Sequence, residues 1–256
     1  MKSAFEKQLD DLPVAAKAKL AELPLTHLTD WATFLAIVQD GKLLSKKPCR
    51  VYGGLLVYTF YGRPAYRFNP DGISHHLESY SPVCLLLKSD LASKSQRVLP
   101  FDSGAFTKYK AAMHSSLDKE HFELPQSAAS AVHLLERLWG SNLSYYKSTQ
   151  VQGIGISATS IALAHYYNLI SNTLSQKFDE RCSTIEVQLA SPVSLKDNVL
   201  AIVVPSGVAS NEVAKIARDL GADLLVYPFD MPYYIGDFHA SVRSVVRDYF
   251  ESKKWL

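Results

Sequence analysis

Three short stretches of the sequence combine reactive side chains with clear local order. Thr26-His27-Leu28-Thr29 places a histidine where an extended segment meets the start of a helix. Phe60-Tyr61-Gly62-Arg63-Pro64-Ala65-Tyr66-Arg67 sets an arginine in a tight Gly-Pro turn, flanked by aromatics and directly after an apolar run. Ile185-Glu186-Val187-Gln188 sets a carboxylate in a strand-like segment. A carboxylate so placed can stabilise developing positive charge or help activate an acceptor. An arginine offers a planar fork suited to phosphate oxygens. Each residue also has an ordinary structural account. A strand-end histidine can be a satisfied structural group, a turn arginine a solvated or paired one, and a strand glutamate part of a sheet's solvent face.

Other patterns fall away. Gly153-Ile154-Gly155 lacks the third glycine, a clear preceding strand and the later acidic residue of a dinucleotide fingerprint. The HEXXH, G-x-S-x-G and P-loop patterns are absent. His75-His76 are adjacent, so extended chain points them to different sides and they make poor joint ligands. Cys49, Cys84 and Cys182 are odd in number with no CxxC spacing, which indicates neither a zinc cage nor a disulfide framework, and points to a reducing compartment. No metal site is expected. Asp102 and Ser103, in the turn Pro100-Phe101-Asp102-Ser103-Gly104, read equally well as a brace for a site or as a plain Asx turn closed by glycine.

The elements that must position these residues are legible to different degrees. Residues 5–23 read as one or two short amphipathic helices broken at Pro13. Leu25–Leu28 is extended. Thr29 or Asp30 then caps a helix with Trp31, Phe34, Leu35 and Val38 on one face, closed by Gly41. Residues 55–61 and 83–88 read as buried strands, and 126–139 and 158–174 as helices. Thr184–Leu189 alternates like a strand, 199–204 is a buried strand, 210–220 a capped helix and 223–227 a strand. Phe238, Val242, Val245, Val246, Tyr249 and Phe250 form a helical core-facing stripe.

Composition bounds the class. The chain has 256 residues, 47% hydrophobic and 20% charged, which excludes disordered, collagenous and coiled-coil chains. A chain of this length buries roughly 70–75% of its unfolded surface and needs no staples. A net charge of +2 is not the marked basic excess of a domain that grips nucleic acid through phosphates. Lys42, Lys46, Lys47 and Arg50 read as a solvated face. No apolar run approaches the ~18 residues of a membrane span. The opening MKSAFEKQLDDL mixes acids and bases, unlike a signal peptide, so a cytoplasmic location is expected. Without repeats or linkers, the chain reads as one mixed α/β domain over 25–256, preceded by a helical lead-in over 1–24.

In order and context, the three stretches resemble the sites of the ADP-ribosyltransferase superfamily, and most closely the DarT group of toxin-type enzymes, as a distinct branch. The resemblance rests on Thr26-His27 through Gly41, on Tyr58-Thr59-Phe60-Tyr61-Gly62-Arg63-Pro64, and on Ile185-Glu186-Val187 followed by Ser191-Pro192-Val193. It spans about residues 25–227 and is motif-deep; Phe60–Arg67 and Pro100–Phe106 set this chain apart. It implies an α+β fold with a split pair of small, mainly antiparallel sheets, helical insertions and an NAD cleft. It implies NAD as substrate, cleavage of the nicotinamide–ribose bond, and transfer of ADP-ribose to a macromolecule. The toxin or phage-defence setting, and an antitoxin or inhibitory partner, follow from the resemblance alone.

Such a reaction passes through an oxocarbenium-like transition state, akin to glycoside hydrolysis. The resemblance assigns Glu186 to that developing charge, Arg63 to the pyrophosphate and His27 to the ribose or nicotinamide end. Tyr61 or Tyr66 stacks on or lines the nicotinamide slot. Tyr58 and Phe60 alternate with Tyr61, so the three rings cannot all face one pocket. Thr184 stands where arginine-directed members carry Glu or Gln, which makes a protein arginine a less expected target. The acceptor loop Gln176–Ser183 offers Arg181 to a phosphate, against Asp179 and Glu180, and leaves DNA or RNA open as acceptor. Two rivals stay open: an NAD glycohydrolase, in which water replaces the acceptor, and a non-catalytic binding module on the same fold.

Overall fold

The computed structural model describes residues 3–45, 48–49, 51–65, 78–171, 180–228 and 235–256. Tyr66, Arg67, the His75-His76 pair, Lys46, Lys47, Arg50, the expected helix end at 172–174 and residues 176–179 of the acceptor loop lie outside the described residues. The strands are β1 (Leu25–Asp30), β2 (Lys42–Leu43), β3 (Val57–Tyr61), β4 (Pro82–Leu87), β5 (Ser95–Leu99), β6 (Glu186–Leu189), β7 (Val193–Ser194), β8 (Val199–Pro205) and β9 (Asp223–Tyr227). The helices are α1 (Ala4–Asp10), α2 (Trp31–Asp40), α3 (Phe106–Tyr109), α4 (Ala128–Leu138), α5 (Asn142–Tyr146), α6 (Ile161–Ser171), α7 (Asn211–Leu220) and α8 (Ile235–Ser252).

Helix starts follow local chemistry. Ser3, Asp30, Ser127, Ser141 and Ser210 each accept a hydrogen bond from the backbone N–H three residues on, opening α1, α2, α4, α5 and α7. Gly41 ends α2 at φ +66°, a left-handed conformation that a Cβ disfavours. The chain divides into two compact units, one from the described residues of 1–23, 89–189 and 255–256, the other from those of 24–88 and 190–254.

The second unit carries a mainly antiparallel run of strands in the order β3-β1-β4-β8-β9. β1 pairs antiparallel with β3 (Thr26 opposite Phe60) and with β4 (His27 opposite Leu85). β8 is antiparallel to β4 and parallel to β9, with α7 between the parallel pair. β2 and β7 form a separate two-stranded ladder. All six residues of β4 are buried, and both α2 and α8 contact this strand. The α8 stripe is buried at Phe238, Val242, Val246, Tyr249 and Phe250, whereas Val245, expected with them, is only half-buried. The expected face of α2 is corrected. Phe34 and Ile37 are its buried residues, Leu35 is 44% exposed, and Ala32, Thr33, Ala36 and Ile37 line a cavity.

The first unit is held by an aromatic cluster. Phe101 lies 5.2–6.2 Å, centroid to centroid, from Phe106, Tyr109, Phe122 and Tyr166, and Phe5 of α1 packs on Phe122 and Tyr166. Each fully buried ring contributes about 1.5–3 kcal/mol over an exposed one. The rings add to the antiparallel β5–β6 pairing. The helical reading of 13–23 is corrected: α1 stops at Asp10 and no helix follows. Pro13 lacks the N–H a helix needs. Beyond it the backbone is drawn into other bonds, from Ala15 and Ala16 N–H to the Glu136 carbonyl and from Asn142 Nδ2 to the Ala21 carbonyl. Alanine's helix propensity is a fraction of a kcal/mol per residue and loses to such anchors.

The chain is thus mixed α/β with mainly antiparallel strands. Among the described residues no helix is long and apolar enough to cross a membrane, and no group of His, Cys, Asp and Glu forms a metal cluster.

Candidate active-site carboxyl and ligand cavity

Glu186 opens β6 in the first unit. Ile185 N–H donates to Tyr145 Oη at 3.1 Å, which fixes the strand where it begins. Across the ladder stands Leu99, and the chain leaving Leu99 turns through Pro100 and Phe101 into Asp102. Asp102 Oδ1 accepts from Gly104 N–H at 2.8 Å, the Asx turn read from the sequence. A Cβ on Gly104 would sit 3.0 Å from that oxygen, so glycine keeps the turn tight. The turn aims Ser103 at Glu186: its N–H donates to Oε2 at 3.1 Å and its Oγ to Oε1 at 2.8 Å. The Asx turn is realised, and it brings Ser103 against Glu186.

Gln188 completes the cluster from the same strand. Its Nε2 donates to Glu186 Oε1 and, at 3.1 Å, to Ser103 Oγ. Arg181 Nη1 pairs with Asp102 Oδ2 at 2.9 Å, and Asp102 N–H donates to the Arg181 carbonyl. Glu186 is 1% exposed, Gln188 0% and Arg181 6%, so the strand has no solvent face here. The expectation that Arg181 is offered to an acceptor phosphate is corrected, since its guanidinium is buried in an ion pair. Thr184 is buried as well, its hydroxyl donating to the Glu180 carbonyl at 2.9 Å.

Burial pushes the Glu186 carboxyl up to about 8, and the nearby Asp102 charge adds to this, while hydrogen bonds from Gln188 and Ser103 pull the other way. Glu186 therefore carries a proton at neutral pH and ionises in the mildly alkaline range. A carboxyl so held can gain a charge when a cation arrives or the pH rises.

His27, Tyr61 and Arg63 lie in the second unit. The His27 Nδ1–H donates to the Tyr58 carbonyl at 2.8 Å, which leaves Nε2 as an acceptor in the neutral ring. Burial holds its imidazole below the ordinary value, opposed by that hydrogen bond, so the neutral form prevails. His27 lines a cavity of about 640 Å³ with Thr29, Thr33, Asp40, Lys42 and Tyr58, walled by the apolar side chains of α2 and Leu56. Tyr61 and Arg63 are not among its lining residues. Tyr61 is fully buried, and it is Tyr58, on the opposite face of β3, that reaches the cavity. Gly62 at φ +69° makes the turn, and Thr26 Oγ1 donates to the Arg63 carbonyl at 2.9 Å. Arg63 is 1% exposed, so a pyrophosphate would meet it only from within the fold.

The structure thus joins Glu186 to Asp102, Ser103, Arg181 and Gln188 in one unit, and His27 to Tyr58 in the other. Sequence reasoning left out Gln188 and the inward turn of Arg181. The period of two in Glu186-Val187-Gln188 carried the signal for Gln188; nothing local marked Arg181 as buried.

Tyr58 also ties the cavity wall to a thiol. Its hydroxyl donates to Cys49 Sγ, which accepts from Val51 and Tyr52 N–H at 3.2 Å each. Burial raises the Cys49 thiol, but these bonds outweigh it and hold it below the usual value, whereas burial drives Cys84 far up. On brief treatment with iodoacetamide at neutral pH, Cys49 is expected to alkylate on the order of tenfold faster than Cys84, read by peptide mass spectrometry. Equal rates would contradict the thiolate-stabilising geometry.

Comparison with known proteins finds no family model, no curated protein and no solved structure that matches this chain.

Proposed function

We propose that the chain is an NAD-dependent ADP-ribosyltransferase with an ADP-ribosyltransferase-like fold, acting on a macromolecular acceptor in the cytoplasm. The observation that carries the reading is Glu186, a buried carboxyl held by Ser103 N–H, Ser103 Oγ and Gln188 Nε2 beside a second carboxylate. Such a group costs stability, and titratable groups perturbed in this way cluster at sites of chemistry. In the reaction, the bond between the nicotinamide nitrogen and the ribose C1′ breaks, and its electron pair leaves with neutral nicotinamide. The cationic charge then gathers on the ribose ring, where ionised Glu186 stabilises it. The acceptor forms the new bond to C1′ and gives its proton to Glu186. Within its own unit, neutral His27 offers Nε2 as an acceptor to a ligand hydroxyl, with the cavity beside it.

Purified protein with NAD radiolabelled in the adenylate half, with and without cell extract, tests this. Nicotinamide release with label on protein, DNA or RNA is the expected result. Release with label only in free ADP-ribose would assign water as the acceptor and a glycohydrolase instead. No release between about pH 6 and 9, the range over which Glu186 ionises, would remove the reading.

A further inference from the structure

The donors around Glu186 are divided unevenly between its two oxygens. Oε1 accepts from Ser103 Oγ at 2.8 Å and from Gln188 Nε2, two side-chain donors. Oε2 accepts from the backbone, Ser103 N–H at 3.1 Å. A carboxylate carries about four lone-pair sites, two on each oxygen. Among the described residues, the donors therefore fill Oε1 and leave Oε2 with room for a further partner.

Ser103 and Gln188 hold each other in this arrangement. Glu186 and Gln188 are two apart in β6 and share a face, while Ser103 arrives from the turn that follows Leu99. Gln188 Nε2 also donates to Ser103 Oγ at 3.1 Å, which occupies a lone pair of the hydroxyl and turns its proton toward Oε1. An amide nitrogen has two protons, so Nε2 serves both acceptors at once. The far end of the amide is matched as well: Gln188 Oε1 accepts from Arg97 Nη1 at 3.5 Å, across the ladder where Arg97 stands opposite Gln188. A flipped amide would set its oxygen against the Glu186 oxygen and its nitrogen against the guanidinium. Asp102 lies close enough for its charge to act on Glu186, but its oxygens accept from Gly104 N–H and Arg181 Nη1, and an acceptor adds no donor to Oε1. Gln188 is 0% and Ser103 2% exposed, so water does not compete for these bonds.

We propose that Ser103 and Gln188 are positioning residues that hold Oε1 of Glu186 as an anchor, so that Oε2 is the oxygen that meets the developing ribose charge and takes the acceptor's proton. This inference rests on the transferase reading for its chemistry and on the hydrogen bonds for its geometry. One carboxyl oxygen keeps the group still, and the other is left with a lone pair in a fixed direction. A carboxyl free to rotate would present either oxygen and lose the alignment on which preorganised catalysis depends.

The test pairs kinetics with a measurement that needs no NAD. Nicotinamide release is followed for the wild type, for Ser103→Ala, which keeps the backbone N–H, and for Gln188→Met, which keeps the side-chain volume. Each variant is expected to lose about 10–100-fold in kcat, with KM within about twofold of the wild type. An unchanged kcat with a raised KM overturns the proposal. The carbonyl infrared stretch of the Glu186 acid is then read at pH 5, well below its titration at about 8, as the difference from Glu186→Gln. With the proton on Oε2 the carbonyl oxygen is Oε1, and each variant removes one of its donors, so the stretch is expected to rise in frequency in both. A stretch that stays in place or falls in either folded variant overturns the proposal. Upward shifts in a protein that cleaves no NAD uphold the anchoring and remove the transferase reading. If no acid band exists at pH 5, the carboxylate bands are read instead, and bands that ignore both substitutions overturn the proposal. If neither variant folds, the wild type decides. A carbonyl stretch closer to that of acetic acid in water upholds the proposal, and one closer to that of monomeric acetic acid in an apolar solvent overturns it.

Discussion

Glu186→Gln is expected to lower nicotinamide release from NAD by about 10²–10⁴-fold, the usual scale for losing a positioned proton acceptor. The amide has the shape of the protonated acid that prevails at neutral pH, and its one oxygen keeps one of the two Ser103 bonds, which fall on different carboxyl oxygens. It can neither ionise nor take a proton. The loss should fall on kcat, because nothing assigned to His27 or the cavity changes. Stability should move the other way as pH rises. The folded carboxyl titrates at about 8 against 4.5 for the unfolded chain. Between those values the unfolded state has released a proton that the folded state keeps, so the wild type loses stability as pH climbs through this window. The glutamine variant lacks the group and should escape that decline, by up to about a few kcal/mol at the upper end. Thermal unfolding at pH 5, 6, 7 and 8 reads the difference. Parallel curves for the two proteins would show that Glu186 is not held protonated.

Phe101→Ala is expected to destabilise the first unit by roughly 3–5 kcal/mol, the range for deleting a fully buried ring. Phe101 is 0% exposed and touches four other rings, none of which can fill the space without leaving its own partners. At a few degrees per kcal/mol for a chain of this size, melting should fall by about 10 °C. The residue also precedes Asp102 directly, so the variant should blunt activity even well below its melting point by loosening the Asx turn that aims Ser103. Phe101→Leu keeps much of the volume and should recover most of both losses. A Phe101→Ala protein with unchanged melting would show that the ring cluster is not what holds this unit.

Where the sequence could be read, local rules were enough. Asp30 and Gly41 bound α2 through capping chemistry written in adjacent residues, and the α8 stripe follows from helical period alone. The burial of Glu186 was not legible, because Thr184–Leu189 alternates in polarity like a half-exposed strand. Its polar members instead find partners far along the chain, 83 residues away at Ser103. Arg181 shows the same limit: its charge invited a surface role, while its partner Asp102 is 79 residues distant. The lead-in over 13–23 failed for a related reason, since its alanines have strong local propensity but its backbone is bound by Glu136 and Asn142. Propensity and period describe neighbours; these contacts are made by strangers in sequence.

The division of the chain has a consequence for how it is made. The backbone passes between the two units after residues 23, 88, 189 and 254, so neither unit is a continuous stretch. β8 and β9 leave the ribosome long after β1, β3 and β4, and Asn142 Nδ2 waits for the Trp255 carbonyl. Neither unit can be finished before its last segment emerges, and the carboxyl cluster closes only after Glu186 has been made, 83 residues after Ser103. A single cut in the backbone likewise cannot release either unit as one fragment. If the activity is hazardous to the cell that makes it, this threading delays it until the last segment of each unit has been made.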